Sequence, residues 1–346
     1  MTEVIVLESD EVGWDPIHSL AVLAARLLEG PLTVLPNPRA PRRWARFRSA
    51  ALSRLPRSRR GRGTLLIARS PFHIAHLASE LRFPRPGAFQ AIWFIDSFWI
   101  DRLPHRLLTP SFDLIGFTQA YDRAAYAARF GDRAIHLGWG TDALGMGSAG
   151  PRRSIDLLRL GRQPAGWDDD ARTAALARRH GLTFHGRPPP AGTADPHLRH
   201  AALMGDWLAQ AKVVLAHTNL LGPTGYVHPG KEYYTARWTD ALACGASVAG
   251  RAPRSDRGLI HWPEALIELP GEDAEAEMER VAAAVAAWTP ERALRNHLGA
   301  LKRLDWRWRI AAIADRLGAR TATLDREMAT LRRAIDAIEG SALAKA

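Results

Sequence analysis

The chain has 346 residues, of which 47% are hydrophobic and 24% charged, and its net charge is +11, which suits a soluble globular protein with room for two domains. No apolar run reaches the ~18–20 residues of a membrane-spanning helix, and the first residues, MTEVIVLESD, form no signal peptide. Cys244 is the single cysteine, so a disulfide within the chain is excluded and a reducing cytoplasm is expected.

Short apolar runs alternate with segments of helical periodicity in the first part of the chain. Strands are predicted at residues 4–7, 32–35, 64–68, 90–95, 112–117 and 134–137, and helices at 14–28, 72–81 and 121–130. Because several runs are continuously apolar, we expect a parallel sheet that is covered on both faces. Ligands of such sheets bind at the carboxyl ends of the strands, where Asp96 follows the run QAIWFI.

The positive charge is concentrated in one segment, residues 37–63. It holds ten arginines and no acidic residue, with Trp44, Phe47, Leu52 and Leu55 among them. A basic segment with interleaved aromatic residues suits an anionic membrane surface, and a solvated loop is the plainer interpretation. Nucleic acid would use the same charges, but the chain has no recognisable nucleic-acid-binding motif.

A second α/β series follows residues 145–153, whose small and turn-forming residues predict a hinge. Strands are predicted at 155–160, 182–185, 213–216 and 246–249, and helices at 168–180, 198–210, 234–244, 272–288, 290–304 and 306–317. A last amphipathic helix is predicted at 325–338. It either crosses back to the first domain or pairs two subunits.

The stretch 231–250, KEYYTARWTDALACGASVAG, combines a helix with a short buried strand. Trp238 and Leu242 lie four residues apart and share one helical face. Gly245 stands where helices end in the left-handed conformation, and the residues after it form the strand.

Two acids and an arginine occupy the polar side of this stretch. Asp240 follows Glu232 by eight residues, which is about 2.2 helical turns, so we expect the two carboxylates near one helix mouth. Carboxylates suit sugar and ribose hydroxyls, whereas free amides at a helix N-terminus and an arginine such as Arg237 suit phosphates. The stretch therefore predicts a nucleotide-sugar site. The alternative is that both acids are solvated charges on a surface helix.

The letters of this stretch resemble the donor-binding signature of family-4 and related group 1 glycosyltransferases. In that signature an acid is followed by seven residues, a second acid and A-x-A-C-G-x-P-V-V, and here Glu232, Asp240 and ALACGASV take these places. Arg237, three residues before the second acid, is typical of the subgroup related to spore-maturation glycosyltransferases. The chain departs from the pattern with aspartate as the second acid and with Tyr233-Tyr234 where the family often has Gly-Phe-Gly.

The resemblance extends to other segments. The letters LGR, ending at Arg162, are similar to the Gly-Arg that opens the family's second domain, and residues 305–309, DWRWR, to its T-W-x-x-R motif. The lysine that the family has shortly after this arginine is missing, and Lys231 or Arg172 could take its place. With two α/β series and no G-x-G-x-x-G motif, the resemblance implies a GT-B fold, in which two Rossmann-like domains face each other across a cleft.

The resemblance implies a role for each candidate residue. Glu232, a catalytic candidate, binds the sugar hydroxyls, Asp240 binds the ribose, and Arg162 with the helix amides binds the diphosphate. The further donor-binding candidates are Lys231, Tyr233, Tyr234, Thr235 and Arg237. Asp96 is the catalytic candidate on the acceptor side, with a turn or helix-cap carboxylate as the alternative. Retention of anomeric configuration is also implied, with neither a metal nor another cofactor.

Other polar clusters have a structural explanation. Two histidine pairs have the i, i+3 spacing of metal ligands, yet no cysteine or carboxylate completes either set. The three acids at 168–170 precede a helical run, so they predict a helix start stabilised by the dipole rather than a D-x-D metal motif. A loop before Lys231 carries polar residues that either line the donor pocket or serve the structure. The pairs are His73/His76 and His197/His200, and the loop residues are His217, Asn219, Thr224 and His228.

The sequence as a whole predicts a glycosyltransferase that takes a sugar from a nucleotide-sugar donor and transfers it to an acceptor. The predicted domains are 1–147, which holds the acceptor, 148–318, which binds the donor, and a C-terminal helix and tail at 319–346. The alternative is a non-catalytic, degenerate GT-B module on a membrane surface or an anionic polymer. The expected partners are the nucleotide sugar and an unidentified acceptor, with a lipid-linked or otherwise anionic one as a candidate. A peripheral contact with the inner membrane face through 37–63 and a homodimer stay open, and a nucleic-acid partner is not expected.

Overall fold

The computed structural model describes residues 2–7, 12–35, 63–71, 89–102, 112–222 and 227–343. The chain forms two compact units. Unit 1 holds Met1–Gly138 and Arg307–Met328, and unit 2 holds Trp139–Trp306 and Ala329–Ala346. Residues 145–153, predicted as a hinge, belong to unit 2. The predicted helix 72–81 and all of the basic segment except Gly63 lie outside the described residues.

Unit 1 is built on a six-stranded sheet in the order β2-β1-β3-β4-β5-β6, with parallel neighbours throughout. The strands are β1 (Thr2–Leu7), β2 (Leu32–Leu35), β3 (Gly63–Ala68), β4 (Phe89–Phe94), β5 (Leu114–Phe117) and β6 (Ala134–His136). Each confirms a predicted strand within about two residues. Leu65, Leu66 and Ile67 on β3 are each at most 1% exposed. Because successive side chains of a strand point to opposite faces, both faces of β3 are covered.

Helices α1 (Asp15–Leu27) and α2 (Arg123–Phe130) belong to unit 1. α1 has Pro16 in its first turn, where the fixed φ of proline suits a helix start. α2 stacks Tyr126 on Phe117 of β5, with 4.5 Å between the ring centroids. These side chains join the apolar residues of the strands in one continuous core.

Unit 2 has a five-stranded sheet in the order β11-β10-β9-β7-β8, again with parallel neighbours. Its strands are β7 (Ile155–Arg159), β8 (Phe184–His185), β9 (Ala211–Leu215), β10 (Ser247–Gly250) and β11 (Leu266–Glu268). The sequence did not predict β11, because its three residues are too few to show a period. The two central strands of this sheet, β9 and β10, carry the segments that matter below.

The helices of unit 2 agree with the prediction except in two places: the short α3 was not predicted, and one predicted helix is interrupted. They are α3 (Ala143–Met146), α4 (Asp170–Arg179), α5 (Pro196–Ala202), α6 (Ala236–Ala243), α7 (Ala274–Ala286) and α8 (Pro290–Arg303). The acidic helix start is confirmed, because Asp169 caps α4 by accepting from the Arg172 N–H at 3.0 Å. The predicted helix 198–210 is interrupted: α5 ends at Ala202, and wider π-type turns follow at Leu203–Trp207. Gly205 lies in these turns, and glycine weakens a regular helix.

Helices α9 (Trp306–Leu317) and α10 (Ala322–Leu343) follow, and the first part of α10 returns to unit 1. There the Glu327 carboxylate accepts from Arg26 at 2.7 Å and from Arg307 at 2.8 Å. The Arg26 hydrogen bond and that of Arg307 lower the pKa of Glu327 to about 2. Arg307 is only 1% exposed, so this ion pair neutralises a buried cation.

The chain passes between the units three times, after Gly138, after Trp306 and after Met328. The first two passages are close to each other. Just inside unit 2 the two segments run side by side. The Thr141 N–H donates to the Leu304 carbonyl, and the Trp306 N–H donates to the Thr141 carbonyl, each at 2.9 Å. Asp305 accepts from the Leu144 N–H at 2.9 Å. The outgoing and returning segments are therefore joined by backbone hydrogen bonds.

Candidate functional site

The carboxyl ends of β7, β9 and β10 form one edge of the unit 2 sheet. These strands are neighbours in the sheet, so the segments that follow them, residues 160–167, 216–222 and 251–259, emerge together. Helix α6 begins at the end of a connection that leaves the same edge after β9. Parallel α/β sheets bind their ligands at this end of the strands.

Arg237 in the first turn of α6 ties two of these segments together. Its guanidinium donates to the Arg162 carbonyl and to the His217 carbonyl, both at 3.1 Å. Gly161 has a φ of +72°, and a Cβ there would lie 2.7 Å from the Arg237 Cδ. A larger residue than glycine would therefore disturb the contacts by which Arg237 joins the two segments. Arg237, predicted as a donor-binding residue, contacts the backbone of the site in this structure.

Glu232 is held by the segment after β10. Its carboxylate accepts from the Arg254 N–H at 3.0 Å and from the Arg251 guanidinium at 3.4 Å. The Ser255 hydroxyl donates to the Glu232 carbonyl. The side chain of Glu232 is 10% exposed, so the acid is largely buried, holds this arginine-containing segment in place and is not a solvated surface charge.

Asp240 lies inside unit 2, on α6. It is 1% exposed, and its Oδ2 lies 2.9 Å from the Nε2 of His200, which is also 1% exposed. Its second oxygen, Oδ1, has no hydrogen-bond partner among the described residues. His200 of the pair His197/His200 is thus bound to a carboxylate. The other pair, His73/His76, lies outside the described residues.

The prediction counts the eight residues from Glu232 to Asp240 as about 2.2 helical turns, which would place both carboxylates near one helix mouth. That count is wrong, because not all of these residues are helical. α6 begins at Ala236, so Glu232 lies in an extended segment and does not take part in the helical repeat. The physical cause is a tertiary contact. The Asn219 side chain accepts from the Tyr233 N–H at 3.1 Å and donates to the Lys231 carbonyl at 2.8 Å, which holds this segment extended.

Tyr234 and Thr235 complete the approach to α6. Tyr234 is 2% exposed, and its ring meets that of Trp238 edge to face with centroids 5.5 Å apart. Its hydroxyl has no partner within the described part of the chain. Burial raises the pKa of Tyr234 to about 12, so the hydroxyl stays protonated and can donate. Thr235 is the N-cap of α6, but its side chain makes no capping hydrogen bond to the described first turn.

His217 lies two residues past the end of β9 and is 1% exposed. Its Nδ1 accepts from the Arg251 N–H at 3.1 Å. Burial, together with the charges of Arg237 and Arg251, lowers the pKa of His217 to about 3. The ring is therefore neutral at physiological pH, and its proton is on Nε2 because Nδ1 is an acceptor. That Nε2–H has no partner among the residues described.

Three neighbouring strands thus each lead into a side chain with a buried, unpaired polar atom. These atoms are Oε1 of Gln163 after β7, Nε2 of His217 after β9 and Nε of Arg251 after β10. Buried polar atoms without a partner are rare in native proteins and require an explanation. Arg162 is beside them and donates to the Gly222 carbonyl at 2.8 Å. A polar, anionic ligand at this edge would satisfy the two donors.

Asp96 lies in unit 1, just after β4. Its Oδ2 lies 3.3 Å from the Nε of Arg69, which follows β3. Its backbone N–H donates to the Arg69 carbonyl at 2.6 Å. The side chain is 19% exposed. Asp96 is therefore at the carboxyl edge of the unit 1 sheet, as predicted, and is part of an ion pair.

Sequence reasoning named His217 without assigning it a role and did not single out Arg251 or Gln163. A signal for Arg251 was present, because an arginine that directly follows a buried apolar strand stands at the ligand-binding edge of a parallel sheet.

In the parts of the chain that the structure describes, no helix is long and apolar enough to cross a membrane. Across the same residues, no three His, Cys, Asp or Glu side chains are grouped as metal ligands.

Comparison with known proteins finds the relationship in structure and not in sequence. No protein-family profile matches the chain, and no curated protein matches it in sequence. Among solved structures, Anabaena Alr3699/HepE in complex with UDP-glucose is similar with a TM-score of 0.54 and 13% identity, covering 92% of this chain and 99% of that one. The same protein in complex with UDP gives a TM-score of 0.51 and 14% identity over 92% and 100% of the two chains. A glycosyltransferase from Rickettsia africae ESF-5 is similar with a TM-score of 0.53 and 8% identity, covering 96% of this chain and 98% of that one.

These similarities define the fold. The two parallel-sheet α/β units of this chain correspond to the GT-B architecture of these glycosyltransferases over nearly their whole length. The predicted fold class is therefore confirmed.

Proposed function

We propose that the protein is a glycosyltransferase that takes a sugar from a nucleotide-sugar donor and transfers it to an acceptor. The observation that supports this best is the edge of the unit 2 sheet, where Gln163, His217 and Arg251 present unpaired polar atoms beside Arg162. The GT-B neighbour from Anabaena binds UDP and UDP-glucose. A donor of this class carries a negatively charged diphosphate between two neutral groups. That negative charge complements the unpaired N–H donors of this edge.

In this proposal the donor is held along unit 2. Arg162 and the first amides of α6 bind the diphosphate, because an N-terminus without a side-chain cap offers free N–H donors. The unpaired Oδ1 of Asp240 accepts from a ribose hydroxyl, while His200 fixes the other oxygen. Glu232 accepts from sugar hydroxyls with the lone pairs that Arg251 and Arg254 leave available. Lys231, Tyr233, Tyr234 and Thr235 shape the approach.

The chemical step needs the leaving diphosphate to be stabilised. Negative charge develops on the diphosphate as the glycosidic bond breaks, and cationic donors already in place lower the barrier most effectively. Arg162 is the candidate for this role. Asp96 is the proposed catalytic residue on the acceptor side, where a carboxylate can accept the proton of an acceptor hydroxyl. Retention of configuration and independence of metal are further parts of the proposal, each open to direct assay.

The test is a screen of nucleotide sugars with the full chain. We expect one or more donors to be hydrolysed slowly in the absence of acceptor, with and without a chelator, and the anomer of a transfer product to be that of the donor. Binding of a nucleoside diphosphate without any turnover would favour the degenerate, non-catalytic module. If the chain binds none of the common nucleoside diphosphates and hydrolyses none of the donors, the proposed function is wrong.

The acceptor is proposed to be lipid-linked or otherwise anionic, on the strength of the arginines in residues 37–63. Each basic residue near an anionic bilayer contributes about 1 kcal/mol, and salt screens the attraction. Co-sedimentation with vesicles should therefore require anionic lipid and weaken as salt is raised. Equal binding to neutral and anionic vesicles, or binding to neither, would leave the segment without a membrane role.

A further inference from the structure

The segment after β10 carries a cation that has no assigned role. Arg251 stands one residue past the end of β10, a central strand of the unit 2 sheet. Its guanidinium reaches Glu232 with one terminal nitrogen at 3.4 Å. Its Nε is buried and has no hydrogen-bond partner within the described residues. The group is thus anchored at its tip, with an unpaired N–H nearer the backbone.

His217 is bound to the same residue from the neighbouring strand. Its Nδ1 accepts from the Arg251 backbone N–H, which leaves Nε2–H as a second buried donor without a described partner. Arg237 fixes the His217 carbonyl from the other side. Both arginines are close enough to the imidazole to act on its charge state. A neutral imidazole between two cations keeps its donor proton and adds no third positive charge.

The position of this pair suits an anion. Arg251 lies one residue past the end of β10 and His217 two residues past the end of the adjacent parallel strand β9, where the ligands of α/β sheets bind. Arg172, one of the alternative cations, is exposed on α4 instead. Arginine recognises phosphate by N–H groups in a fixed planar arrangement. N–H donors that are buried without a partner are costly, so an anion bound to both of them would stabilise this arrangement.

We propose that Arg251 and His217 form a phosphate-binding pair, in which the Arg251 Nε–H and the His217 Nε2–H donate to one phosphate of a nucleoside diphosphate. This inference rests on the proposed function and adds to Arg162 a second, separate phosphate contact. Glu232 then has a positioning role in addition to its proposed sugar contact, because it fixes the guanidinium of Arg251. The pair recognises the phosphates and not the base or the sugar.

The experiment compares nucleotides that differ only in their phosphates. Affinities for UDP, UMP and uridine are measured by calorimetry for the full chain, for Arg251→Gln and for Arg257→Gln, with ADP, GDP and their nucleosides as further probes. Arg257 is an exposed arginine of the same segment, so it controls for the loss of one charge. We expect Arg251→Gln to weaken UDP binding more than tenfold and to change uridine binding less than twofold, while Arg257→Gln changes neither.

A second variant separates recognition from folding. His217→Asn places an amide oxygen near the position of Nδ1, which can still accept from the Arg251 N–H, and removes the Nε2–H. We expect it to lower the ratio of UDP to uridine affinity at least fivefold while its thermal unfolding stays cooperative. Arg251→Lys, which keeps a cation for Glu232, should show an intermediate loss if Arg251→Gln does not fold.

The outcomes distinguish this inference from the proposed function. If the unmodified protein binds nucleoside diphosphates and the UDP-to-uridine ratio is unchanged in folded Arg251 and His217 variants, the phosphate pair is overturned and the proposed function stands. If the unmodified protein binds no nucleoside diphosphate, both are overturned. Equal weakening of UDP and uridine would also overturn the pair, because it would show a loss of structure and not of a phosphate contact.

Discussion

The carboxyl edges of the two sheets differ in how completely their buried polar atoms are paired. In unit 1 the Trp93 indole N–H donates to the Thr118 hydroxyl at 2.9 Å, and that hydroxyl donates to the Phe94 carbonyl at 3.0 Å. Gln119 accepts from the Ser97 N–H at 2.8 Å and from the Ser97 hydroxyl. The network joins the ends of β4 and β5 by hydrogen bonds that a ligand need not complete.

The corresponding edge of unit 2 is incomplete and cationic. Gln163 donates to the Leu160 and Leu215 carbonyls at 3.1 Å, yet its Oε1 stays unpaired, as do the donors of His217 and Arg251 in the described structure. A closed network rigidifies a core, whereas an incomplete one is stabilised by a ligand. The comparison gives the Trp93, Ser97, Thr118 and Gln119 network of unit 1 a structural role and supports the edge of unit 2 as the proposed donor site.

The largest expected effect is a loss of transfer activity when either carboxylate of the proposed donor site is made neutral. Asp240→Asn and Glu232→Gln should each reduce transfer more than tenfold, because a charged hydrogen bond contributes about 1.5–3 kcal/mol and about 1.4 kcal/mol is a factor of ten in rate. Steady-state kinetics with the best donor measures this. Asp206→Asn, at an exposed position of unit 2, is the control and should keep full activity. Near-normal turnover in both site variants would refute the proposed roles of Asp240 and Glu232.

The same substitution at the two edges sharpens the contrast. Gln119→Met should lower the free energy of unfolding by about 2–3 kcal/mol, because it leaves the Ser97 N–H unpaired in the core. Gln163→Met should lower the free energy of unfolding by about 1 kcal/mol less than Gln119→Met does. It leaves only carbonyl oxygens without a partner, and these tolerate the loss better than N–H groups. Urea titrations followed by tryptophan fluorescence compare the two. Equal losses would show that the edges are equally closed.

The last expected effect is a pH dependence of stability that His217 introduces, which is small near neutral pH and grows as the pH is lowered. Its pKa falls from 6.5 to about 3 on folding, so the unfolded chain binds the proton first as the pH is lowered. The stabilising contribution is complete above about pH 6.5 and is lost between that pH and about 3, at a rate of up to about 1.4 kcal/mol per pH unit. His217→Asn should lose less stability than the unmodified chain between pH 7.5 and 4.5. A difference between the two proteins that does not change with pH would refute this.

The architecture could be predicted from the sequence because it depends on local patterns. Continuous apolar runs such as VIVL and TLLIA mark strands that are buried on both faces. The end of α6 was also predictable, since Gly245 adopts a φ of +80° there. The acids before α4 were recognised as a helix start for the same local reason.

The site was predictable only in part, because its geometry depends on contacts between distant segments. Residues 231–235 carry no local signal that the Asn219 side chain will keep them extended. The partners of Glu232 lie beyond β10, and that of Asp240 lies on α5. His217 looks like any loop histidine until β9 and β10 bring it against Arg251. A single sequence shows residue types and spacing, but not which loops meet.

The return of the chain to unit 1 after Trp306 has a consequence for synthesis on the ribosome. Unit 1 needs Arg307–Met328, which are translated after the whole of Trp139–Trp306. At about 5–20 residues per second, the delay is on the order of ten to thirty seconds. During that time the nascent unit 1 lacks Ile310 and Ile313, both buried in the finished protein, and Arg26 lacks Glu327. The domain that is translated first thus stays incomplete until Trp139–Trp306 of unit 2 has been made, so a ribosome that stalls within that part leaves an unfinished apolar surface for chaperones to shield.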